Sequence, residues 1–281
     1  MCEFCLKHGE GKKWYLQAKN YSDDLLSDIR RRRFIQNFFS NTRALANEAQ
    51  QMAGFHKAPR LIRGMIQRAV TRRMKREHFG QVVPIEEVEK ILGFVGSIVR
   101  VACICRHLTL GKEKRYCYGI SLKPDGGEFA KILRGLDTSF LGGPDTVGLE
   151  TLTKEEAISS FHSHEQEGLC HTVWTFQTPF IGGVCNCDRS DCLAMRSTVT
   201  QGIPVLFRAE YVARIDPDRC TGCRDCMRSC QFGAMTYGAA EKKTTIDQRW
   251  CFGCGVCRSA CKKAAIQLEE RTRVPAVAGL W

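Results

Sequence analysis

Eight cysteines in two identically spaced groups constrain this chain more than any other feature. The groups lie at 220–230 and 251–261, and both have the pattern C-x-x-C-x-x-C-x-x-x-C. In this spacing the first three cysteines lie on one tight loop around an iron–sulfur cluster, and the fourth, on the following helix, ligates the other cluster. The predicted ligands are Cys220, Cys223, Cys226 and Cys261 for the first cluster, and Cys251, Cys254, Cys257 and Cys230 for the second.

Glycines lie between these ligands, at Gly222, Gly253 and Gly255. A side chain there would crowd a cluster, and the loops must turn their backbone N–H groups toward the sulfur atoms. No ligand position is occupied by Asp, so neither cluster is expected to lack an iron.

The region 211–268 resembles a bacterial two-cluster ferredoxin domain. Three short segments are typical of the ferredoxin strands, at Tyr211–Ile215, Phe232–Tyr237 and Ala264–Leu268. The resemblance implies two [4Fe–4S] clusters close enough to exchange electrons. The chain departs from the family after the fourth cysteine of each group, where Gln231 and Lys262 replace the usual proline. Since proline lacks an N–H and fixes the turn, this change is expected to alter the reduction potential but not cluster binding.

The cysteine content also predicts the compartment. The chain has 17 cysteines in 281 residues, an odd count that cannot pair completely into disulfides. The first eight residues have no apolar signal-peptide core, and the longest apolar run, 91–99, is too short to span a membrane. We therefore predict a cytoplasmic protein whose cysteines stay reduced and bind metal.

Two C-x-C pairs in the middle of the chain predict a further metal site. A strand predicted from Ser97 to Ile104 ends in the first pair, and a strand that begins at His171 leads to the second. Because residues i and i+2 of a strand point to the same face, each pair presents two thiolates side by side. Four such sulfurs suit either a tetrahedral zinc ion or a third iron–sulfur cluster. The predicted ligands are Cys103, Cys105, Cys185 and Cys187, with Cys117, Cys192 and His107 as further candidates.

Buried apolar thiols are the alternative for these cysteines, although this explanation fits one or two of them better than six. Both pairs follow a helix and a strand, which suggests a pseudo-twofold arrangement. The segments Cys103–Arg106, 168–171 and Cys185–Cys187 resemble those of uncharacterised iron–sulfur proteins in which C-x-C-R and C-N-C segments precede a dicluster ferredoxin domain. That resemblance implies the same two-part architecture and no particular reaction.

A third C-x-x-C motif lies at the N-terminus, where Cys2 and Cys5 are followed by His8. It is either half of a metal site that is completed from elsewhere or a pair of free thiols, and the sequence leaves both open.

The other histidines identify no catalytic site. His162 and His164 are predicted on the polar face of a helix, and His171 is a candidate for a cofactor or substrate pocket. The chain has no P-loop, no G-x-G-x-x-G motif and no H-E-x-x-H motif, so its catalytic residues, if any, are unknown.

Positive charge is concentrated in the first 80 residues. The net charge is +12, and 1–80 carries 17 Lys and Arg against 7 Asp and Glu. Helices are predicted at about 23–39, at about 42–54 and from Pro59, where apolar residues recur at helical spacing. The apolar positions of this third helix are Leu61, Ile62, Met65, Ile66, Ala69, Val70 and Met74, and its basic positions are Arg63, Arg68, Arg72, Arg73, Lys75 and Arg76.

This basic helix has four interpretations. It packs its apolar stripe on the core, docks an acidic redox partner, lies on an anionic membrane surface, or contacts nucleic acid phosphates. Nucleic acid is disfavoured because aromatic and basic residues do not alternate along the helix.

Together these patterns predict an α+β fold. Helices are expected to begin at Pro84 and at Leu152, and 122–150 is predicted to be a long loop because it is rich in Gly, Pro and Asp. The predicted regions are a basic helical region at 1–80, an α+β domain with the further metal site at 81–205, a ferredoxin domain with two [4Fe–4S] clusters at 206–270 and a tail at 271–281.

The function that the sequence favours is low-potential electron transfer, by an iron–sulfur protein or a subunit of an anaerobic oxidoreductase. One alternative is an oxidoreductase whose middle domain is catalytic and receives electrons from the ferredoxin domain. Another is a redox-sensing regulator that binds nucleic acid through the basic helices. The partner expected from the charge is an acidic redox protein, with contact to a membrane surface as a further expectation.

Overall fold

The computed structural model describes residues 2–41, 47, 59–110, 115–137 and 149–281, and within them the predicted α+β fold is confirmed. The α-helices are α1 (Glu3–Gly9), α2 (Ile29–Ser40), α3 (Arg60–Glu77), α4 (Ile85–Phe94), α5 (Ile104–Leu110), α6 (Gly127–Arg134), α7 (Lys154–Gln166), α8 (Leu193–Val199), α9 (Asp225–Ser229) and α10 (Val256–Ser259). The strands are β1 (Gly80–Val82), β2 (Ser97–Val101), β3 (Cys117–Ser121), β4 (Glu150–Leu152), β5 (Cys170–Thr175), β6 (Ile181–Cys187), β7 (Leu206–Phe207), β8 (Tyr211–Ile215), β9 (Met235–Gly238), β10 (Lys243–Ile246) and β11 (Ile266–Glu270).

Within the described residues, seven strands form one sheet in the order β4-β2-β3-β6-β5-β1-β7. Neighbouring strands are antiparallel, apart from the parallel pair β1 and β7. One face of the sheet is covered by α4 and α7, whose Val88 and Phe161 share a core with Tyr118 and Val184. α7 begins at a capping box in which Thr153 and Glu156 satisfy each other's backbone N–H groups.

The N-terminal segment packs into this same core. Phe4 and Trp14 lie against Phe79, with ring centroids 5.0 and 5.8 Å apart, and Tyr15 is fully buried beside them. The far end of the chain joins them, because Trp281 stacks on Phe207 at 4.7 Å. Aromatic burial of this size stabilises a fold by several kcal/mol, roughly 1.5–3 for each ring, and it ties both ends of the chain to the sheet.

The region after β7 forms two small antiparallel ribbons, β8 with β11 and β9 with β10. β8 has the bounds that the sequence predicts, whereas β9 and β11 begin two or three residues later. This ferredoxin-type segment shares a buried core with the large sheet. In that core Phe232 stacks on the partly buried Phe252, with ring centroids 4.1 Å apart. Gln231, which stands where the family has proline, accepts from the Arg189 N–H at 2.9 Å and donates to the Gly168 carbonyl at 2.8 Å.

Several predicted elements differ from the structure. The predicted loop 122–150 contains α6, which buries Phe129 and Ile132, and residues 138–148 lie outside the described residues. The predicted helix 42–54 also lies outside them, apart from position 47. The helix α6 was missed because the surrounding Gly, Pro and Asp residues led to the prediction of a loop.

The basic helix, α3, exposes much of its apolar stripe. Met65 is 71% exposed and Ile62 is 51% exposed, whereas Met74, near the end of the helix, packs partly against the main core. Of its cations, Arg73 and Arg76 pair with Glu77. Core packing therefore explains only the last turns of this helix. None of the described helices is both long and apolar enough to cross a membrane.

Candidate metal centres

The two cysteine loops of the ferredoxin-type segment have the backbone that cluster binding requires. Gly222 and Gly253 have φ values of 69° and 73°, in the left-handed region that favours glycine. A Cβ at Gly222 would lie 2.1 Å from the Lys242 carbonyl oxygen, and one at Gly253 would lie 2.1 Å from that of Tyr211. Any larger residue would push either loop out of its conformation.

The structure brings the predicted ligands of the first cluster together across the repeat. The Cys226 thiol interacts electrostatically with those of Cys261, Cys223 and Cys220, and together with burial these raise its pKa to about 11. All four cysteines line one cavity, whose other walls include Arg224. Cys261 therefore lies with the first group of cysteines and not only with its own.

The predicted ligands of the second cluster converge in the same way. Burial, with Cys254, Cys251 and Cys230 nearby, raises the pKa of the Cys257 thiol. Backbone N–H groups point at the sulfurs from outside, since Ala213 donates to Cys251 at 3.3 Å and Ala234 donates to Cys230 at 3.4 Å. Such donors stabilise the negative charge of a cluster and its thiolates, so these residues fit the group.

A further set of thiols lines the face of the large sheet that is turned away from α4 and α7. Cys117 on β3 is directly opposite Cys185 on β6, and Cys170 on β5 is directly opposite Cys187 on β6. Because directly paired residues and residues two apart share a face, all four side chains lie on one side of the sheet. The C-N-C pair thus has the geometry that the sequence predicts.

The first C-x-C pair does not lie on a strand, and that part of the prediction is wrong. β2 ends at Val101, Cys103 follows in the connection, and Cys105 and His107 are in the first turns of α5. The segment turns because β2 has reached the end of its pairing with β3 at Cys117. No pseudo-twofold pair of strands therefore exists here, and His107 is exposed.

The six middle-region thiols nevertheless form one group. Cys103 and Cys117 have their sulfurs 3.0 Å apart, and Cys117 also contacts Cys185. On the other side, Cys192 contacts both Cys105 and Cys187. Each of the two further candidates, Cys117 and Cys192, therefore bridges one member of the first C-x-C pair to one member of the second.

A buried cation, Arg106, lies beside this group of thiols and can offset the negative charge of thiolates. Arg106 is 1% exposed, and its guanidinium donates to Cys103 Sγ at 3.3 Å, to the Asn186 carbonyl at 3.1 Å and to the Asp188 carboxylate. Burial lowers the pKa of Arg106, but Cys103 and Asp188 more than offset this and hold it above its ordinary value. A permanent positive charge beside buried thiols fits the negative charge of thiolates bound to metal.

A zinc ion and an iron–sulfur cluster need different spacings of their ligand sulfurs. Four thiolates around one zinc ion, with Zn–S bonds of about 2.3 Å, lie roughly 3.8 Å from one another. Among the described residues, the only three ligand atoms that all lie within 4.8 Å of each other belong to Cys2, Cys5 and Glu210. The middle-region thiols are spread more widely, as are those of the ferredoxin-type segment, and this spread fits a polynuclear cluster.

Cys170 lies between the middle-region thiols and the second ferredoxin group. Its thiol hydrogen-bonds to Cys254, and this contact is the main cause of the lowered pKa of Cys254. Cys170 also interacts electrostatically with Cys187 and Cys192. Cys170 stands alone in the sequence, and only strand pairing places it between the two groups of thiols.

The histidines have structural partners. His162 is exposed and contacts Glu89 at 2.7 Å, whereas His164, predicted on a polar face, is buried and hydrogen-bonds to the Tyr118 hydroxyl at 2.8 Å. His171 is fully buried, and its Nδ1 donates to Asn186 Oδ1 at 2.6 Å. Burial lowers the pKa of His171 to about 4, so the ring is neutral.

Comparison with known families agrees with the dicluster geometry. Residues 213–262 match the model of the 4Fe-4S dicluster domain family. The chain therefore contains a ferredoxin-type iron–sulfur segment. This match covers none of the strands of the seven-stranded sheet. None of the curated proteins compared matches the chain.

Proposed function

We propose that this protein transfers low-potential electrons between the two clusters of its ferredoxin-type segment and a third iron–sulfur centre on the large sheet. The observation that supports this function is the position of Cys170, which is paired with Cys187 in the sheet and whose thiol interacts with that of Cys254 and, electrostatically, with those of Cys187 and Cys192. Thiol groups thus continue from the second predicted cluster into the middle of the molecule. Centres held at each end of this contact are near neighbours, which is the condition for electron hopping.

The third centre is a cluster held by Cys103, Cys105, Cys185 and Cys187. The spacing of the sulfurs supports a cluster over zinc, because no three of these described thiols lie within 4.8 Å of one another. The buried Arg106 would offset the negative charge of either centre. Cys117 and Cys192 act beside it as hydrogen-bond donors, since each contacts two of the four ligands. Hydrogen bonds to ligand sulfurs raise the reduction potential of a cluster, so these two cysteines tune the centre.

Electrons enter or leave at the first ferredoxin cluster. Cys223 is exposed, which brings this cluster to the surface. Arg224 and Lys263 line the same cavity and are exposed, so the surroundings are suited to an acidic redox partner. The chain then acts as the electron-transfer component of an oxidoreductase.

The experiment that tests this function counts metal and sulfide in anaerobically purified protein. We expect roughly twelve irons and no zinc in the middle region, from three [4Fe–4S] clusters. Cys103→Ala and Cys187→Ala should each remove about four irons while the signals of both ferredoxin clusters persist. Cys170→Ala is the matched control, because it removes a buried cysteine of the same core that is not a ligand, and its iron content should equal wild type.

Two results would contradict the proposal. Iron and zinc contents equal to wild type in both variants would show that these cysteines are buried apolar thiols and not metal ligands. Loss of about one zinc and no iron would assign a structural zinc site, which carries no electrons.

A further inference from the structure

A second group of metal-ligating side chains lies at the N-terminal C-x-x-C motif, and none of its members is among the proposed cluster ligands. The Cys2 and Cys5 sulfurs are 3.2 Å apart, and the Cys5 thiol donates to Glu210 Oε1 at 3.2 Å. All three residues are buried, with Glu210 only 7% exposed. Their three ligand atoms lie within 4.8 Å of one another, which is the spacing of ligands around a single metal ion.

Long-range folding assembles this group. Cys2 and Cys5 are held by the aromatic packing of Phe4, while Glu210 occupies the short connection between β7 and β8. The carboxylate thus reaches the thiols from a position 205 residues away in the sequence. His8, the sequence neighbour considered as a partner, is not part of the group.

The group opens onto a cavity of about 220 Å³, which Cys2 and Glu210 help to line. Arg271 lines the same cavity, is 4% exposed and has its Nη2 without a hydrogen-bond partner, although its Nη1 donates to the Leu280 carbonyl. Its charge also interacts with those of Glu210 and Cys2. A buried guanidinium that lines a cavity, and has one nitrogen without an acceptor, points to an anionic ligand beside it.

We propose that Cys2, Cys5 and Glu210 bind one zinc ion, whose fourth coordination position faces the cavity and takes a small carboxylate-type anion that Arg271 holds. Two thiolates and a carboxylate suit zinc, and three protein ligands with an open fourth position are characteristic of zinc sites that bind exogenous ligands. The Zn²⁺ ion offsets two of the three negative charges of the ionised ligands, which would otherwise repel each other in a buried place. The charge of Arg271 offsets the third. Lys75, at the edge of the cavity, adds positive charge, although it also pairs with Glu3 at 3.1 Å.

The metal is tested on anaerobic, cluster-loaded protein that has been treated with a mild chelator and then titrated with Zn²⁺. Wild type should retain about one zinc, with two Zn–S distances of about 2.3 Å in the zinc-edge X-ray absorption spectrum. Glu210→Gln, which preserves shape, should weaken zinc binding at least tenfold, and Cys5→Ser should do the same, with iron unchanged in both. Glu10→Gln, a surface carboxylate outside the group, and Cys103→Ala, in the middle region, should keep this zinc.

The anion is tested by calorimetric titration with acetate. Acetate should bind to the zinc-loaded protein and not to the zinc-free protein, and Arg271→Gln should weaken acetate binding at least tenfold at unchanged zinc content. The comparison of zinc-loaded with zinc-free wild type does not depend on the correct folding of any variant. Equal acetate binding with and without zinc would overturn the open coordination position. Zinc retention that is the same in wild type, Cys5→Ser and Glu210→Gln would overturn the site itself, as would a Cys2–Cys5 disulfide in place of bound metal.

Discussion

Arg106 offers the sharpest test of the middle-region site, because it is a buried charge that donates to a proposed ligand thiol and to a carboxylate. Its replacement by Met leaves the Asp188 carboxylate and the Asn186 carbonyl without their buried donor. Removing one partner of a buried ion pair costs roughly 3–5 kcal/mol. Asp188 keeps two other donors, Ser190 Oγ at 2.9 Å and the Asp191 N–H at 2.5 Å. We therefore expect Arg106→Met to lower the free energy of unfolding by ~3 kcal/mol, the lower end of this range.

This free energy corresponds to a fall of about 6–12 °C in the apparent melting temperature, since ~1 kcal/mol shifts a protein of this size by about 2–4 °C. The melting temperature is measured anaerobically, by tryptophan fluorescence and by the visible absorbance of the clusters. The matched control is Arg100→Met, which breaks a partly exposed pair with Glu150 and should cost at most ~1 kcal/mol. Arg106→Met should also lower the iron content by about four atoms if a third cluster depends on its charge.

The double variant Arg106→Met with Asp188→Asn separates the charge from the packing. If the cost comes from an unpaired buried carboxylate, neutralising it should recover more than half of the lost melting temperature. A shift for Arg106→Met no larger than that of Arg100→Met would refute the reasoning.

The remaining predictions concern the clusters, the surface charge and pH. Cys230→Ala should damage the cluster of the second cysteine group, and loss of the first group's spectroscopic signal instead would show that the crossed ligation is wrong. Neutralising Arg224 and Lys263 should slow reduction by an acidic partner and flatten the salt dependence of that rate. The effect should be larger than that of neutralising the exposed arginines of α3. A variant that is reduced as fast as wild type would exclude this docking surface. Burial depresses the pKa of His171 to about 4, from an unfolded value near 6.5. Its contribution to stability is therefore complete above pH ~6.5 and is lost as pH falls toward 4. Over that window the free energy of unfolding of His171→Gln should fall less than that of wild type, by up to ~3 kcal/mol. Identical pH profiles would contradict the buried neutral ring. The exposed arginines of α3 are Arg63, Arg68, Arg72, Arg73 and Arg76.

Local spacing determined the part of this protein that sequence alone could predict. A cluster loop needs its cysteines and glycines at fixed short intervals, so the dicluster segment is encoded within 50 residues, and a dicluster family match covers residues 213–262. Helices with strong caps or a clear apolar period, such as α4 and α7, were predictable for the same local reason.

Tertiary structure decided everything that depends on distant residues meeting. Strand pairing placed Cys170 between two groups of thiols, and the end of β2 turned Cys103 and Cys105 onto a helix rather than a strand. Glu210 joins Cys2 and Cys5 only because the N-terminal aromatic residues pack under the sheet, which no local pattern predicts. The physical reason is that metal ligands on separate segments are selected by the packing of the core, and packing is a property of the whole chain.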